Sequence, residues 1–189
     1  MATKRVSDPP RKRGARSAAA LFTRILVPVD FSDQGQFALD RAVELSRAYP
    51  AELLVLHVVE PVFMPGGGDA FGAGYDTRLV YEEIERSARE QLARVAANLA
   101  RRGVEVRTLL HVGTAHEVII DTARKVRADL IVMSTHGRSG LSHLFMGSVA
   151  ERVVRSAACP VLTMRDTRPA RVRRAARGTG ARRRQAAAK

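Results

Sequence analysis

Between Arg24 and Met164 short apolar runs alternate with longer stretches that are apolar only at every third or fourth position. Arg24–Val29 is an apolar run that predicts a strand ending before Asp30. Asp33-x-x-Gln36 has the form of a capping box and predicts a helix start. That helix carries Ala38, Ala42, Leu45 and Tyr49 on one face and stops at Pro50. Leu53–Val59 is apolar throughout, as expected of a strand covered by helices on both faces. A Gly- and Pro-rich loop, Pro61 to Gly74, follows. Ile84, Ala88, Leu92, Val95 and Leu99 predict a long helix, with Gly103 placed to close it. Val104–Leu110 alternates like a strand, and Gly113-Thr114 opens a helix that turns Ile119, Ala123 and Val126 inward. Leu130–Met133, Val149–Ser156 and Pro160–Met164 predict strand, helix and strand.

Five strands joined by helical crossovers predict an α/β fold: an open five-stranded parallel sheet, Rossmann-like, with helices on both faces. In such sheets ligands bind beyond the carboxyl ends of the strands, where strand order reverses. Pro28-Val29-Asp30 and the segment from Ser134 onward are therefore the places where a ligand is expected.

Charge changes this picture only at the ends. The chain has 189 residues and a formal net charge of +13. Residues 1–20 hold six Lys/Arg and one acid, and residues 165–189 hold ten Lys/Arg and one acid. The stretch between them is nearly neutral, so the high isoelectric point says nothing of the domain itself. The expected organisation is a basic disordered arm over 1–20, a nucleotide-binding domain over 21–165 and a second basic disordered arm over 166–189. No apolar run reaches the ~18 residues of a membrane span, and no signal with an apolar core is visible. A cytoplasmic protein is expected. The single cysteine forms no internal disulfide, and no His, Cys or acidic cluster has metal-ligand spacing.

The chemistry is expected in the loop after the fourth strand. It reads Ser134-Thr-His-Gly137-Arg-Ser-Gly140 and ends at Gly147-Ser148-Val149. Gly137 and Gly140 permit close backbone approach, and Ser148-x-x-Glu151 has the form of a capping box. Free N–H groups at a helix start behind such a loop suit phosphate, although most capped helices bind nothing. No Gly-x-x-x-x-Gly-Lys-Ser/Thr and no Gly-x-Gly-x-x-Gly after a strand occurs, which excludes a P-loop hydrolase and the dinucleotide fingerprint. Gly66-Gly67-Gly68 reads as a linker.

Val27-Pro-Val-Asp-Phe-Ser32, Leu56-His-Val-Val59, Met133-Ser-Thr-His-Gly-Arg-Ser-Gly140, Gly147-Ser-Val-Ala-Glu151 and Cys159-Pro-Val-Leu162 together resemble the universal stress protein family over residues 22–164. The resemblance implies strand order 3-2-1-4-5 and a homodimer paired through the last strand at Val161, Leu162 and Thr163. It also implies the ATP-binding class, whose Gly-x2-Gly-x9-Gly is matched by Gly137 and Gly147, with Ser134 in place of the first glycine. A positive φ at that serine would cost about 1 kcal/mol or more. Carried over by position, Pro28 and Val29 would line the base pocket and Asp30 would contact the ribose or a nucleotide-bound magnesium. Val58 would meet the adenine edge through its backbone, and Met133, Ser134, His136 and Gly137 would wrap the nucleotide. Gly147, Ser148 and Val149 would hold the phosphates.

Read singly, Asp30 also suits capping of the next helix, His57 reads as a satisfied core histidine and Cys159 as a small buried hydrophobe. Pro28 is odd in a central strand because it donates no ladder hydrogen bond. The functional expectation is an ATP-binding stress-response or signalling module acting as a homodimer. No catalytic machinery beyond phosphate cradling is visible; the resemblance leaves slow ATP hydrolysis or autophosphorylation open. The alternative is a nucleic-acid-associated protein that uses the dimer as a platform for its arms, which carry no aromatic residue after Phe145 and would bind phosphate without reading sequence. A related nucleotide-binding enzyme would need acidic or cysteine motifs that are absent.

Overall fold

A computed structural model describes residues 21–61, 77–135 and 146–166. The strands are β1 (Arg24–Pro28), β2 (Glu52–Val59), β3 (Val106–Val112), β4 (Leu130–Ser134) and β5 (Val161–Met164). The helices are α1 (Asp33–Ala48), α2 (Thr77–Arg101), α3 (Ala115–Val126) and α4 (Ser148–Ser156). The strands form one parallel sheet of order β3-β2-β1-β4-β5. The expected fold class and strand order are both observed.

The apolar runs are explained by the strands' two-residue period. Ile25, Val27, Leu53, Val55, Leu130 and Val132 face one layer, where Leu39, Ala42 and Val43 of α1 and Leu92 and Leu99 of α2 meet them. Leu26, Leu54, Leu56, Ile131 and Met133 face the other, against Ile119, Ile120 and Ala123 of α3 and Ala150 and Val153 of α4. Both faces of β1, β2 and β4 are thus buried, which is why these strands lack polar alternation.

Several boundaries differ from the sequence expectations, each for a local reason. The N-cap of α1 is Ser32, not Asp33: its side chain accepts from the Gly35 N–H at 3.1 Å. Tyr49 is the C-cap of α1 rather than part of its buried face, and its ring meets Phe22 edge-on. Leu39 and Val43 are buried in that face instead. β3 begins two residues later than expected because Val104 still belongs to the end of α2. Gly103, at φ +71°, donates to Ala100 O and Val104 N–H reaches back to Leu99 O, the pattern of a Schellman closure. Cys159 lies before β5, is half-buried, and burial pushes its thiol pKa up. Both arms, the loop beyond Pro61 with Gly66–Gly68, and His136, Gly137, Gly140 and His143 lie outside the described residues.

Candidate functional site

β1 and β4 are neighbours, and their crossovers leave on opposite faces of the sheet, α1 to one layer and α4 to the other. A crevice of about 880 Å³ opens beyond their carboxyl ends. Its lining includes Pro28, Val29, Asp30, Val58, Met133, Ser134, Gly147, Ser148 and Val149. Those are all the expected site residues that fall among the described ones, and the fold brings them to one place.

The turn after β1 is tightly specified. Pro28 ends the strand opposite Leu56, and the ladder continues through Val29, whose N–H donates to Leu56 O at 2.8 Å. The missing donor of Pro28 therefore falls at the strand terminus, which resolves its oddity. Asp30 Oδ1 accepts from the Ser32 N–H at 3.0 Å and from the Ser32 hydroxyl at 2.6 Å. That hydroxyl in turn accepts from Gly35 and caps α1. Asp30 thus supports the cap through Ser32 while lining the crevice. Between them Phe31 takes a left-handed conformation, φ 61°, uncommon for a bulky residue.

His57 is not a core histidine. It is half-buried in the crevice wall, its ring tilted against Phe31 with centroids 4.3 Å apart. Its Nδ1 lies 2.7 Å from the Val29 carbonyl oxygen. A carbonyl only accepts, so Nδ1 carries the proton.

The far wall is the start of α4. Its N-cap is Gly147, at φ −61° and ψ 145°, and no side chain caps it. The expected capping box at Ser148 is not formed: Ser148 is the first helical residue, and Glu151 pairs with Arg155 at 2.9 Å instead. With no side chain bonded there, the first-turn N–H groups face the crevice as the donor set and dipole end that favour an anion. Gly147 itself is fixed, donating to Thr135 O at 2.7 Å, while Thr135 N–H donates to Met164 O at 2.9 Å. The two ends of the glycine-bearing loop are closed together at its base. Ser134 is the last residue of β4 and is not among the described residues with positive φ, so the strain anticipated at that serine does not arise.

Sequence reasoning missed four contributors. Glu60 Oε1 accepts from Ala115 N–H at 3.0 Å and so caps α3, whose own N-cap Thr114 makes no side-chain bond. Glu83, Ser87 and Gln91 of α2 also line the crevice. Their spacing of four and four along one helix stripe, beside the buried Ala88 and Leu92, was the available signal. Among the described residues no group of three or more His, Cys, Asp or Glu is gathered to hold a metal, and no helix is long and apolar enough to cross a membrane.

The model of the universal stress protein family matches residues 21–165. The chain belongs to the universal stress protein family. A universal stress protein of Methanocaldococcus jannaschii is 33% identical over 153 residues, covering 79% of this chain and 86% of its own. The crystal structure of a family member from Burkholderia pseudomallei superposes with a TM-score of 0.60 at 33% identity, covering 77% of this chain and 97% of that one. A universal stress protein from Archaeoglobus fulgidus, solved in complex with dAMP, superposes with a TM-score of 0.53 at 27% identity, covering 77% and 99%.

Proposed function

We propose that this universal stress protein binds an adenine nucleotide in the crevice beyond β1 and β4, ATP with magnesium in its full form, and acts in stress response or signalling as a cytoplasmic homodimer. The observation that carries the reading is the start of α4: Gly147 without a side-chain cap, opening into a crevice walled by apolar groups and one carboxylate. The similar protein bound to dAMP supports the ligand class.

The donor set fits such a ligand. Backbone N–H groups of Gly147–Val149 would hold phosphate oxygens, apart from the Gly147 N–H already given to Thr135. Pro28, Val29, Val58 and Met133 supply apolar walls for a base, with the Val58 backbone at its edge. Asp30 would meet the ribose hydroxyls or the magnesium, and Ser134, His136 and Gly137 would close over the nucleotide. Bound nucleotide supplies charge and a removable wedge between two layers of helices. It biases the protein toward whichever arrangement it binds more tightly. The β5 edge, with Leu162 36% exposed, is the surface through which a second copy would pair. The nucleic-acid reading rests on the composition of the arms alone.

The test is mass spectrometry of small molecules released from the purified protein, followed by titration calorimetry with ATP and magnesium. An adenine nucleotide in the released fraction, or saturable heat at or below millimolar ATP, is the expected result. No released nucleotide, no heat and no thermal shift at millimolar ATP or AMP would overturn the reading.

A further inference from the structure

The nucleotide crevice is short of positive charge. Among its described lining residues there is no Lys or Arg, while Asp30, Glu60 and Glu83 contribute carboxylates. Glu83 is matched by Arg86 at 2.6 Å on the same helix, and Glu60 is occupied with the α3 N-terminus. Helix-end N–H groups contribute only a fraction of a charge. A polyphosphate brought here still needs cations.

The fold places a concentrated source of them at the rim. In a parallel sheet every strand ends at the same edge, so β5 ends where β1 and β4 end. Met164, its last residue, accepts from Thr135, and Thr135 accepts from Gly147: two hydrogen bonds connect the end of β5 to the start of α4. The chain then turns across toward α1. The Asp166 N–H donates to Gln34 Oε1 at 3.0 Å, and Asp166 is only 6% exposed. Gln34 stands beside Gly35, where an added Cβ would lie 2.6 Å from Asp30 Oδ1. Residue 166 is thus pinned between the phosphate-binding helix end and the Asp30 turn. Beyond it lie 23 residues with nine Lys/Arg and no acid, beginning with Arg168, Arg171, Arg173 and Arg174. At about 3.4 Å per extended residue, Arg171 reaches roughly 17 Å from the anchored Asp166 before its own side chain is added.

We propose that the basic segment 167–189 docks in cis over the phosphate end of the nucleotide crevice and supplies the cations the crevice lacks, selecting polyphosphorylated nucleotides over uncharged nucleosides. The inference rests on the nucleotide reading above. The sequence gives the segment only as an extension independent of that site; the anchoring of Asp166 ties the two together. A segment attached beside the site acts at a high effective concentration, so even weak arginine–phosphate pairs add up. Exposed ion pairs are screened by salt, so the selection fades as ionic strength rises.

The test uses the full chain. Arg168, Arg171, Arg173 and Arg174 are changed together to Gln, with a control in which Arg11, Lys12, Arg13 and Arg16 are changed to Gln instead. Affinities for ATP, AMP and adenosine are measured by calorimetry in 50 mM and 500 mM salt. In 50 mM salt the first variant is expected to bind ATP about tenfold or more weaker, AMP slightly weaker and adenosine unchanged, with the difference closing in 500 mM salt. The control keeps wild-type affinities. In parallel, ATP but not adenosine is expected to slow trypsin cleavage after Arg168–Arg174 and leave cleavage after Arg11–Arg16 unchanged. Equal ATP affinity in wild type and variant overturns the proposal and leaves the nucleotide reading standing. So does an equal loss for ATP and adenosine, or a loss produced by Arg138→Gln and not by the four-arginine variant. Wild-type protein that binds neither ATP nor adenosine overturns both.

Discussion

The Nδ1 of His57 donates to the carbonyl oxygen of Val29 at 2.7 Å, tying β2 to the residue just past the end of β1. Val29 is buried, and its carbonyl precedes the strained Asp30–Phe31 turn. His57→Phe keeps a ring against Phe31 but leaves that carbonyl without its donor. It is expected to cost about 1 kcal/mol of stability in urea unfolding and to weaken nucleotide binding. His57→Asn, whose amide nitrogen stands near the Nδ1 position, is expected to recover part of both. If Phe and Asn behave alike, the bond does not hold the turn.

Gly147 is fixed at the base of the glycine-bearing loop by its N–H to Thr135 O. Its φ of −61° is already that of a proline, so Gly147→Pro deletes the donor with no strain at its own φ. The expected outcome is a stability loss of about 1 kcal/mol and a drop in ATP affinity by calorimetry. Ser148→Ala, at the first helical position with no capping bond to lose, is expected to leave stability near wild type and to weaken binding by roughly 1 kcal/mol through one phosphate contact.

Gly35 has no room for a side chain: an added Cβ would lie 2.6 Å from Asp30 Oδ1. Alanine favours a helix over glycine by up to about 1 kcal/mol, which offsets much of the strain at this first-turn position. Gly35→Ala is therefore expected to show a small change in melting temperature with a clear loss of nucleotide affinity, because the Asp30 carboxylate is displaced. Ser32→Ala is expected to lose both, since the α1 cap goes with it.

The contrast between these sites and the core marks what the sequence carries. Ile25–Val29, Leu53–Val59 and Leu130–Met133 are legible as strands because both of their faces are buried. The long α2 stripe is legible because helix packing demands a fixed spacing. The exposed outer strand β3 was displaced by two residues, since the Schellman closure at Gly103 is a matter of backbone geometry rather than of pattern. The site residues gathered in the crevice were reached through the motifs at Val27–Ser32 and Gly147–Glu151. The caps were not: whether Ser32 or Asp33 caps α1 depends on Asp30 holding the Ser32 hydroxyl. Glu60 capping α3 from 55 residues away, and His57 bonded to a main-chain oxygen, leave no mark in local sequence.

Asp129 joins the start of β1 to the turn before β4. Burial pushes its pKa up, but hydrogen bonds from the Thr23 hydroxyl at 2.6 Å, Thr23 N–H at 2.7 Å and Arg24 N–H at 3.1 Å outweigh it and hold the carboxyl below its ordinary range. A lowered folded-state pKa stabilises the protein fully above the unfolded value of about 3.9, and that stability is lost as pH falls through the folded value. Asp129→Asn is expected to be less stable at neutral pH and to show a shallower fall in stability below about pH 4. Urea unfolding across pH 3 to 7 measures both. Parallel curves for the two proteins would mean the carboxylate contributes nothing that depends on pH.

The edge strand β5 bonds only to β4, and its outer side carries Leu162, 36% exposed, while Val154 of α4 is 46% exposed. A short apolar edge left open is a template for another chain, and pairing with a second copy would cover it. Leu162→Asp places a charge in the middle of that edge. In the proposed homodimer two such charges would meet near a two-fold axis, where the same patch contacts itself. Light scattering is expected to report a dimer for the wild type and a monomer for Leu162→Asp, with nucleotide affinity retained because the crevice lies beyond β1 and β4. Leu162→Thr, polar but uncharged and at home in a strand, is expected to keep the dimer with reduced affinity. A dimer that survives Leu162→Asp would place the interface on another surface. A wild-type monomer would remove the homodimer from the proposed function and leave the nucleotide site untouched.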